Sequence, residues 1–282
     1  MRLVGWLMHG LRQLPLHITG ILGNEDVVNA YFLTAGGEAV LVDTGREADI
    51  DGNAILDFWR ELGEPRMRGI VITHAHPDHI GAADRLRNEW QVPVSMHPAE
   101  KVILERLGST FEADVHLNDG QDIETPLGTA TVLHTPGHSP GHICLHFEGS
   151  GLLISGDQVI TNGTVYVGEP FGSMTDYMQS MRRLLELRIG TLAPGHGPIV
   201  ENGWQRVLDM HEYRFRREGE LIMALRNGAR SSMDIARILY SSRDIPPEVL
   251  EFGARQTECH LLHLERLGVA VRQEDAWALS VG

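Results

Sequence analysis

Short apolar runs alternate with helix-like segments along the first 200 residues. Five runs have the length and the β-branched content of buried strands, at 39–42, 69–73, 130–133, 152–155 and 191–193. Four other segments repeat apolar residues at helical spacing, at 51–63, 78–90, 98–107 and 174–188. Together with short hairpin-like runs at 115–155, this alternation predicts an α+β fold in which helices cover two mixed sheets.

The pattern changes after residue 203 and predicts a second, smaller domain. It indicates a helix at 204–226, a second helix that begins after an N-cap at Ser231 or Ser232, and a third helix at 247–267. A hairpin at 269–279 follows them. Three helices followed by a two-stranded wing are typical of a winged helix. We therefore expect one domain at 1–203 and a winged-helix-like domain at 204–282.

Composition places the chain among ordinary globular proteins. It has 282 residues, of which 42% are hydrophobic and 22% charged. No stretch approaches the roughly 18 apolar residues of a transmembrane helix, and the first residues lack the features of a signal peptide. We therefore expect a cytoplasmic protein with no membrane partner. The two cysteines, Cys144 and Cys259, are too few for a disulfide framework and are expected to be reduced, partly buried thiols.

The net charge of −14 bears on the choice of partner. An acidic surface repels a phosphate backbone, which counts against nucleic acid, although a local basic patch could override it. The predicted helix at 247–267 is net acidic, unlike a recognition helix. We expect it to pack against the active-site cleft or to form a homodimer surface. A basic cluster at Arg214, Arg216 and Arg217 is interpreted as a solvated helix face, or alternatively as a holder of an anionic substrate tail.

Ligand-type side chains follow several of the predicted strands. His74 and His76 come directly after the strand at 69–73, and two imidazoles at this spacing can grip one metal ion. Asp78 and His79 lie where the chain turns into a helix and point toward a second position. Four such side chains in six residues predict a metal site at this strand end.

Three turns farther along the chain offer the remaining ligands. His134, His138 and His142 lie near one turn, Asp157 follows the strand at 152–155, and His196 follows the strand at 191–193. Rigid strand ends can fix such loops accurately. Asp43, after the strand at 39–42, is expected to hydrogen-bond a ligand or the loop behind it.

These motifs, in this order, resemble the metallo-β-lactamase fold superfamily in its glyoxalase II-like and lactonase-like branch. The resemblance covers about 18–203 and is carried by THAHPDHIG at 73–81, TPGHSPGH at 135–142, SGD at 155–157 and PGHG at 194–197. It implies a four-layer αββα sandwich as the catalytic domain. Residues 204–282 resemble the winged-helix domain attached to β-lactamase-like hydrolases, which include endoribonucleases and enzymes that act on small esters or thioesters.

The resemblance implies a dinuclear metal site and favours His138 among the three histidines of its turn. His74, His76 and His138 would bind the first ion, Asp78, His79 and His196 the second, and Asp157 would bridge them. Two Zn²⁺ ions are expected, although iron or manganese would suit the same ligands. The metals would lower the pKa of a bridging water to give hydroxide, and Asp78 would also carry a proton as the catalytic residue.

The implied reaction is hydrolysis of a small-molecule ester, thioester or lactone. The alternative is a metal-dependent phosphodiesterase or endoribonuclease that acts on single-stranded RNA. A β-lactamase is disfavoured because Gly156-Asp157 stands where the best-known subclass has a cysteine. A non-catalytic binding protein is disfavoured because the ligand set is complete.

Overall fold

The computed structural model describes residues 10–19, 25–241, 246–274 and 276–280. The first nine residues, where no signal peptide is predicted, lie outside this part of the chain. The described residues include eight α-helices, which are α1 (Ile50–Glu61), α2 (Pro77–Ile80), α3 (Ala83–Trp90), α4 (Lys101–Arg106), α5 (Met174–Leu185), α6 (Gly203–Arg226), α7 (Ser232–Leu239) and α8 (Pro247–Arg266).

The described strands form two large sheets and one hairpin. The first sheet has the order β1-β2-β3-β4-β5-β6 and the second the order β11-β10-β9-β8-β7, while β12 and β13 pair with each other. Both large sheets are mixed, since β3 pairs antiparallel with β2 and parallel with β4, and β10 pairs antiparallel with β9 and parallel with β11. The strands are β1 (Leu11–Thr19), β2 (Glu25–Ala35), β3 (Glu38–Val42), β4 (Arg66–Val71), β5 (Val94–Met96), β6 (Val115–His116), β7 (Asp122–Thr125), β8 (Gly128–His134), β9 (Ile143–Phe147), β10 (Leu152–Gly156), β11 (Thr191–Pro194), β12 (Ala270–Gln273) and β13 (Ala276–Leu279).

Alternation along the strands explains why the two sheets stack. On β2, Tyr31 and Leu33 belong to the core between the sheets, while Phe32 packs in the core under the helices that cover the first sheet. On β10, Leu152 lies between the sheets and Leu153 packs under α5 and α6. Successive side chains of a strand point to opposite faces, so strands that are apolar throughout require cover on both sides. The predicted four-layer αββα sandwich is confirmed.

The predicted helix at 78–90 is two helices in the structure. The backbone of Gly81 lies against the loop after β3, where its N–H donates to the carbonyl of Gly45 over 2.8 Å. A Cβ atom at Gly81 would overlap the carbonyl of Arg46. The chain therefore breaks its helix at this contact, and α2 is a single short turn that carries Asp78 and His79. The predicted helix at 98–107 likewise begins as a 3-10 turn at Pro98–Glu100 before α4.

The C-terminal part has the predicted winged-helix order. Ser231 caps α7 by accepting a hydrogen bond from the N–H of Asp234 over 3.1 Å. Leu221, Ile235, Leu261 and Trp277 form the centre of a core shared by α6, α7, α8 and the wing hairpin. The division of the chain at 203/204 stays a prediction, because α6 begins in the core under the second sheet and ends in this one.

The predicted solvated face of basic residues on α6 is wrong for its first member. Arg214 is fully buried, donates a hydrogen bond to the carbonyl of Val165 and stacks 5.0 Å from the ring of Tyr177. Arg217 is also largely covered, and it donates to the hydroxyl of Tyr213 over 2.8 Å. Arg214 is two residues from Arg216, whose side chain is 65% exposed, so the two lie on opposite sides of the helix. Arg214 falls on the buried side, one turn from Met210 and one turn from Glu218.

Both cysteines are free and buried, as predicted. Burial raises the pKa of Cys144 to about 12 and that of Cys259 to about 12, so neither is a reactive thiolate at neutral pH. Among the described residues, no helix has the length and apolar character needed to cross a bilayer.

Candidate metal centre

All the predicted ligands lie at one edge of the sandwich, in loops that follow strands or on α2. The loop after β4 in the first sheet supplies His74 and His76 and leads into α2. The second sheet supplies His138 from the turn between β8 and β9, Asp157 from the end of β10 and His196 from the end of β11. The stacking of the two sheets brings these loops together across long sequence separations.

The first group consists of three histidine nitrogens that point at one another. His138 Nε2 lies 3.2 Å from His74 Nε2 and 2.8 Å from His76 Nδ1. His74 and His138 are buried, and His76 is half-buried. These three side chains offer ligand atoms that all lie within 4.8 Å of one another.

The second group surrounds the carboxylates of Asp78 and Asp157. His196 Nε2 lies 3.6 Å from Asp78 Oδ2 and 3.5 Å from Asp157 Oδ2, and His79 Nε2 lies 3.5 Å from Asp157 Oδ1. Asp157 Oδ2 is also 3.6 Å from His138 Nε2 of the first group. Asp157 therefore stands between the two groups, and the structure brings together all seven residues that the sequence singled out.

Three of the histidines are oriented through their outward nitrogens. His79 Nδ1 lies 2.8 Å from Asp43 Oδ2, His138 Nδ1 lies 2.7 Å from the carbonyl of Tyr166, and His196 Nδ1 lies 2.8 Å from the carbonyl of Val27. A donor at Nδ1 leaves the lone pair of Nε2 free to bind a metal ion. Asp43 also accepts from the N–H of Thr73 over 2.8 Å, so it contacts both a candidate ligand and the ligand loop, as predicted.

His142, the last of the three histidines at its turn, holds Asp157 through the backbone. Its Nε2 accepts a hydrogen bond from the N–H of Asp157 over 3.0 Å, and its Nδ1 lies 2.9 Å from the hydroxyl of Thr135. His134 instead donates from Nε2 to the carbonyl of Pro140 and stacks on His97 with ring centroids 4.1 Å apart. Of the three histidines at this turn, His138 is therefore the one whose ring nitrogen faces those of His74 and His76.

Burial and neighbouring charges divide the histidines into two classes. Burial lowers the pKa of His74 well below its usual value, and it lowers the pKa of His76 to about 3. Burial also lowers the pKa of His138, so these three histidines are neutral at physiological pH. Burial also lowers the pKa values of the other two, but nearby carboxylates outweigh it. Asp157 and Asp43 raise the pKa of His79, and Asp157 raises the pKa of His196 to about 9. This half of the centre therefore favours positive charge.

The residues fit a pair of metal ions. His79 Nε2 and Asp157 Oδ1 are buried without a hydrogen-bond partner, although both are strong polar groups. The ligands of a tetrahedral zinc ion are about 3.3 Å apart, close to the 2.8–3.6 Å separations between candidate ligand atoms here. The first group offers neutral nitrogens, and the second surrounds a buried carboxylate that cations would neutralise.

Tyr166 and Arg46 are among the residues beside the centre that sequence reasoning missed. Tyr166 orients His138 through its backbone carbonyl, so its side-chain identity carried no signal. Arg46 follows the Asp43-Thr44-Gly45 turn and places Nη2 3.9 Å from Asp78 Oδ2. The position of Arg46 directly after a loop that contains a ligand-type residue could have indicated this contact from the sequence.

The third helix of the winged-helix part packs against the loop that contains Tyr166. Gln256 on α8 accepts a hydrogen bond from the N–H of Val167 over 3.2 Å, and the ring of Phe252 lies 5.5 Å from that of Tyr166 in an edge-on contact. The α8 helix thus supports the segment whose carbonyl orients His138.

Family models match both parts of the chain. Residues 23–196 match the metallo-beta-lactamase superfamily, and residues 231–277 match the beta-lactamase associated winged helix domain.

Individual relatives extend across most of the chain. A beta-lactamase-like protein 2 homolog of Caenorhabditis elegans is 28% identical over 235 residues, which are 79% of this chain and 76% of the relative. An atrochrysone carboxyl ACP thioesterase of Aspergillus fumigatus is 29% identical over 71% of this chain and 60% of its own length. A crystal structure of a metallo-beta-lactamase family protein from Thermus thermophilus has a TM-score of 0.78 at 24% identity, covers 97% of this chain and 99% of that protein, and so shares its fold.

The superfamily model covers more than half of the chain, and its matched range contains every residue of the candidate metal centre. The winged-helix model covers the α7, α8 and wing-hairpin region that supports the Tyr166 loop. The chain therefore belongs to the metallo-beta-lactamase superfamily, as a hydrolase with a beta-lactamase associated winged-helix domain.

Proposed function

We propose that this chain is a dinuclear zinc hydrolase that cleaves a small ester, thioester or lactone. His74, His76 and His138 would hold one ion, Asp78, His79 and His196 the other, and Asp157 would contact both. The position of Asp157 carries the proposal, because its Oδ1 faces His79 while its Oδ2 faces both His138 and His196.

Zinc bound by these residues would supply Lewis acidity and lower the pKa of a water molecule at the site. The protein residues orient the candidate ligands and fix their positions. Burial keeps the first three histidines unprotonated, and Asp43, Tyr166 and Val27 hold the ring orientations of His79, His138 and His196. Asp78 is 17% exposed at its side chain, so it can exchange a proton with solvent or with a leaving group.

A small acyl substrate is favoured by one relative and by the surface charge. The Aspergillus fumigatus relative is named as a thioesterase of an acyl carrier protein substrate. The net charge of −14 disfavours a long polyanion. One face of α8, which includes Gln256 and His260, is buried within the protein. Only the rest of this acidic helix is free to enter a nucleic-acid groove.

Zinc-loaded protein assayed on acyl thioesters of increasing chain length, a lactone panel and end-labelled single-stranded RNA tests this proposal. We expect turnover of an ester, thioester or lactone that falls by at least about 100-fold in Asp78→Asn. The matched control is Asp57→Asn, because Asp57 is a surface carboxylate with 71% of its side chain exposed. RNA cleavage that depends on Asp78, with no turnover of the small substrates, would contradict the proposal in favour of the ribonuclease alternative.

A further inference from the structure

Glu100 is a fully buried carboxylate with three hydrogen-bond donors around it. Its residue exposure is 0%, and it lies at the end of the 3-10 turn that precedes α4. Glu100 Oε2 accepts from the N–H of Ala75 over 2.6 Å. Its Oε1 accepts from the N–H of Gly141 over 2.6 Å and from the hydroxyl of Ser139 over 2.7 Å. Short hydrogen bonds to a carboxylate are among the strong ones in proteins.

The three donors belong to the two loops that provide the first histidine group. Ala75 lies between His74 and His76, in the loop that follows β4 of the first sheet. Ser139 directly follows His138 and Gly141 lies two residues farther on, in the turn between β8 and β9 of the second sheet. One carboxylate therefore ties together the two loops whose separation determines where the three histidine nitrogens meet.

The turn after His138 is shaped around this carboxylate. A Cβ atom at Gly141 would lie 2.7 Å from the backbone nitrogen of Glu100 and 2.9 Å from its Cγ, so only glycine allows the approach. Ser139 is itself fully buried, with its hydroxyl directed at Glu100. Ser139 and Gly141 of this turn are thus both fitted to the contact with Glu100.

We infer that Glu100 is a positioning residue, which fixes the His74–His76 loop against the His138 loop so that the three nitrogens converge on one metal ion. The inference rests on the proposed metal site and adds a residue that binds no metal. Mutation of a residue that orients metal ligands in this way typically lowers metal affinity by about 10- to 100-fold.

The chemistry of the contact requires a carboxylate. Two of the three donors are backbone N–H groups, which can donate a hydrogen bond but cannot accept one. Each of these two faces a different oxygen of Glu100. In Glu100→Gln the amide has one acceptor oxygen and one NH₂ donor. Either orientation of that amide places its NH₂ against one backbone N–H, so one of the two loops loses its anchor.

Competition titration of metal-free protein with zinc and a chromophoric chelator tests the inference. We expect the wild type to bind two ions per chain, and Glu100→Gln to bind one of the two about 10- to 100-fold more weakly. The matched control is Glu105→Gln, the same chemical change on α4 at a side chain that is 64% exposed, which should leave both affinities within about twofold. The melting temperature of each metal-free variant is measured alongside.

A purely structural role would lower the melting temperature of metal-free Glu100→Gln and leave its zinc affinities unchanged, and this result would overturn the inference while the proposed function stands. A wild type that binds no zinc would instead contradict both. If Glu100→Gln does not fold, Ser139→Ala removes one donor and leaves the carboxylate in place. We expect Ser139→Ala to lower the affinity for one of the two zinc ions by about 3- to 10-fold. An unchanged affinity would again overturn the inference.

Discussion

Asp43 adopts a backbone conformation that few side chains tolerate, with φ at 60°. The strain is offset by its contacts, because it accepts from the N–H and the hydroxyl of Thr73 and lies 2.8 Å from His79 Nδ1. A carboxylate at this place makes Nδ1 of His79 the protonated nitrogen. The inward Nε2 then keeps its lone pair for a metal ion.

Asp43→Asn should weaken zinc binding by about 10- to 100-fold while the protein stays folded. Asparagine tolerates the left-handed backbone conformation, but it has one acceptor oxygen for three donors. Zinc affinity by chelator competition is the measurement, with Asp57→Asn as the exposed control. Equal zinc affinities for wild type and Asp43→Asn would show that the orientation of His79 does not depend on this carboxylate.

At the scale of single residues, the sequence predicted which side chains meet and missed what holds them. The candidate ligands could be singled out because metal chemistry limits residue types and each candidate lies shortly after a strand end. Asp43 could be placed by the same logic. Glu100 and Tyr166 could not, because they act from other parts of the chain, one of them through a backbone carbonyl. Such contacts depend on how the two sheets stack, which periodicity does not specify.

At the scale of elements, the five predicted apolar runs correspond to β3, β4, β8, β10 and β11, whereas β1 and β5 were not predicted. The helix next to the candidate metal centre was predicted as one helix instead of two. Strands that are buried on both faces read as continuous apolar runs, and these runs are visible in the sequence. The break between α2 and α3 comes from a tertiary contact at Gly81, where only a residue without a Cβ fits against Arg46. Local helical spacing continues through Gly81 and therefore predicted a single helix at 78–90.

Gly81→Ala should destabilise the protein by about 3 kcal/mol or more, because the added methyl group must displace the backbone at Arg46. Gly219→Ala is the matched control. Gly219 lies within α6 with open space where a Cβ would be, so alanine there should stabilise by about 0.5–1 kcal/mol. Free energies of unfolding from urea titration measure both changes. A Gly81→Ala variant as stable as wild type would contradict this explanation of the helix break.

At the scale of the whole molecule, the α6 and α8 helices meet in a buried polar seam. Glu218 on α6 is 5% exposed and lies 3.5 Å from His260 Nδ1 and 3.8 Å from His263 Nε2 on α8. Burial lowers the pKa of both histidines, so at neutral pH they are uncharged neighbours. Burial also raises the pKa of Glu218 to about 7, although Arg182 and Arg214 oppose the shift.

This raised pKa predicts a pH-dependent contribution to stability. Folded Glu218 holds its proton more tightly than the unfolded chain does, so its contribution is complete below about pH 4.5 and is lost as the pH rises through about 7. Glu218→Gln is neutral at every pH. Relative to wild type, it should gain on the order of 1–3 kcal/mol between pH 5 and pH 8.

Urea unfolding at pH 5 and pH 8 measures this difference between Glu218→Gln and wild type. Glu220→Gln on the same helix is the control, since 54% of the Glu220 side chain is exposed. A stability difference for Glu218→Gln that is the same at both pH values would mean that Glu218 is ionised in the folded protein throughout this range.

The most direct test of the proposed dinuclear centre is an anomalous difference map from crystals of the zinc-loaded protein. It should show two peaks about 3.5–4 Å apart. One peak should contact His74, His76 and His138, the other should contact Asp78, His79 and His196, and Asp157 should touch both. A single peak under zinc-replete conditions, or two peaks without Asp157 between them, would contradict the dinuclear centre.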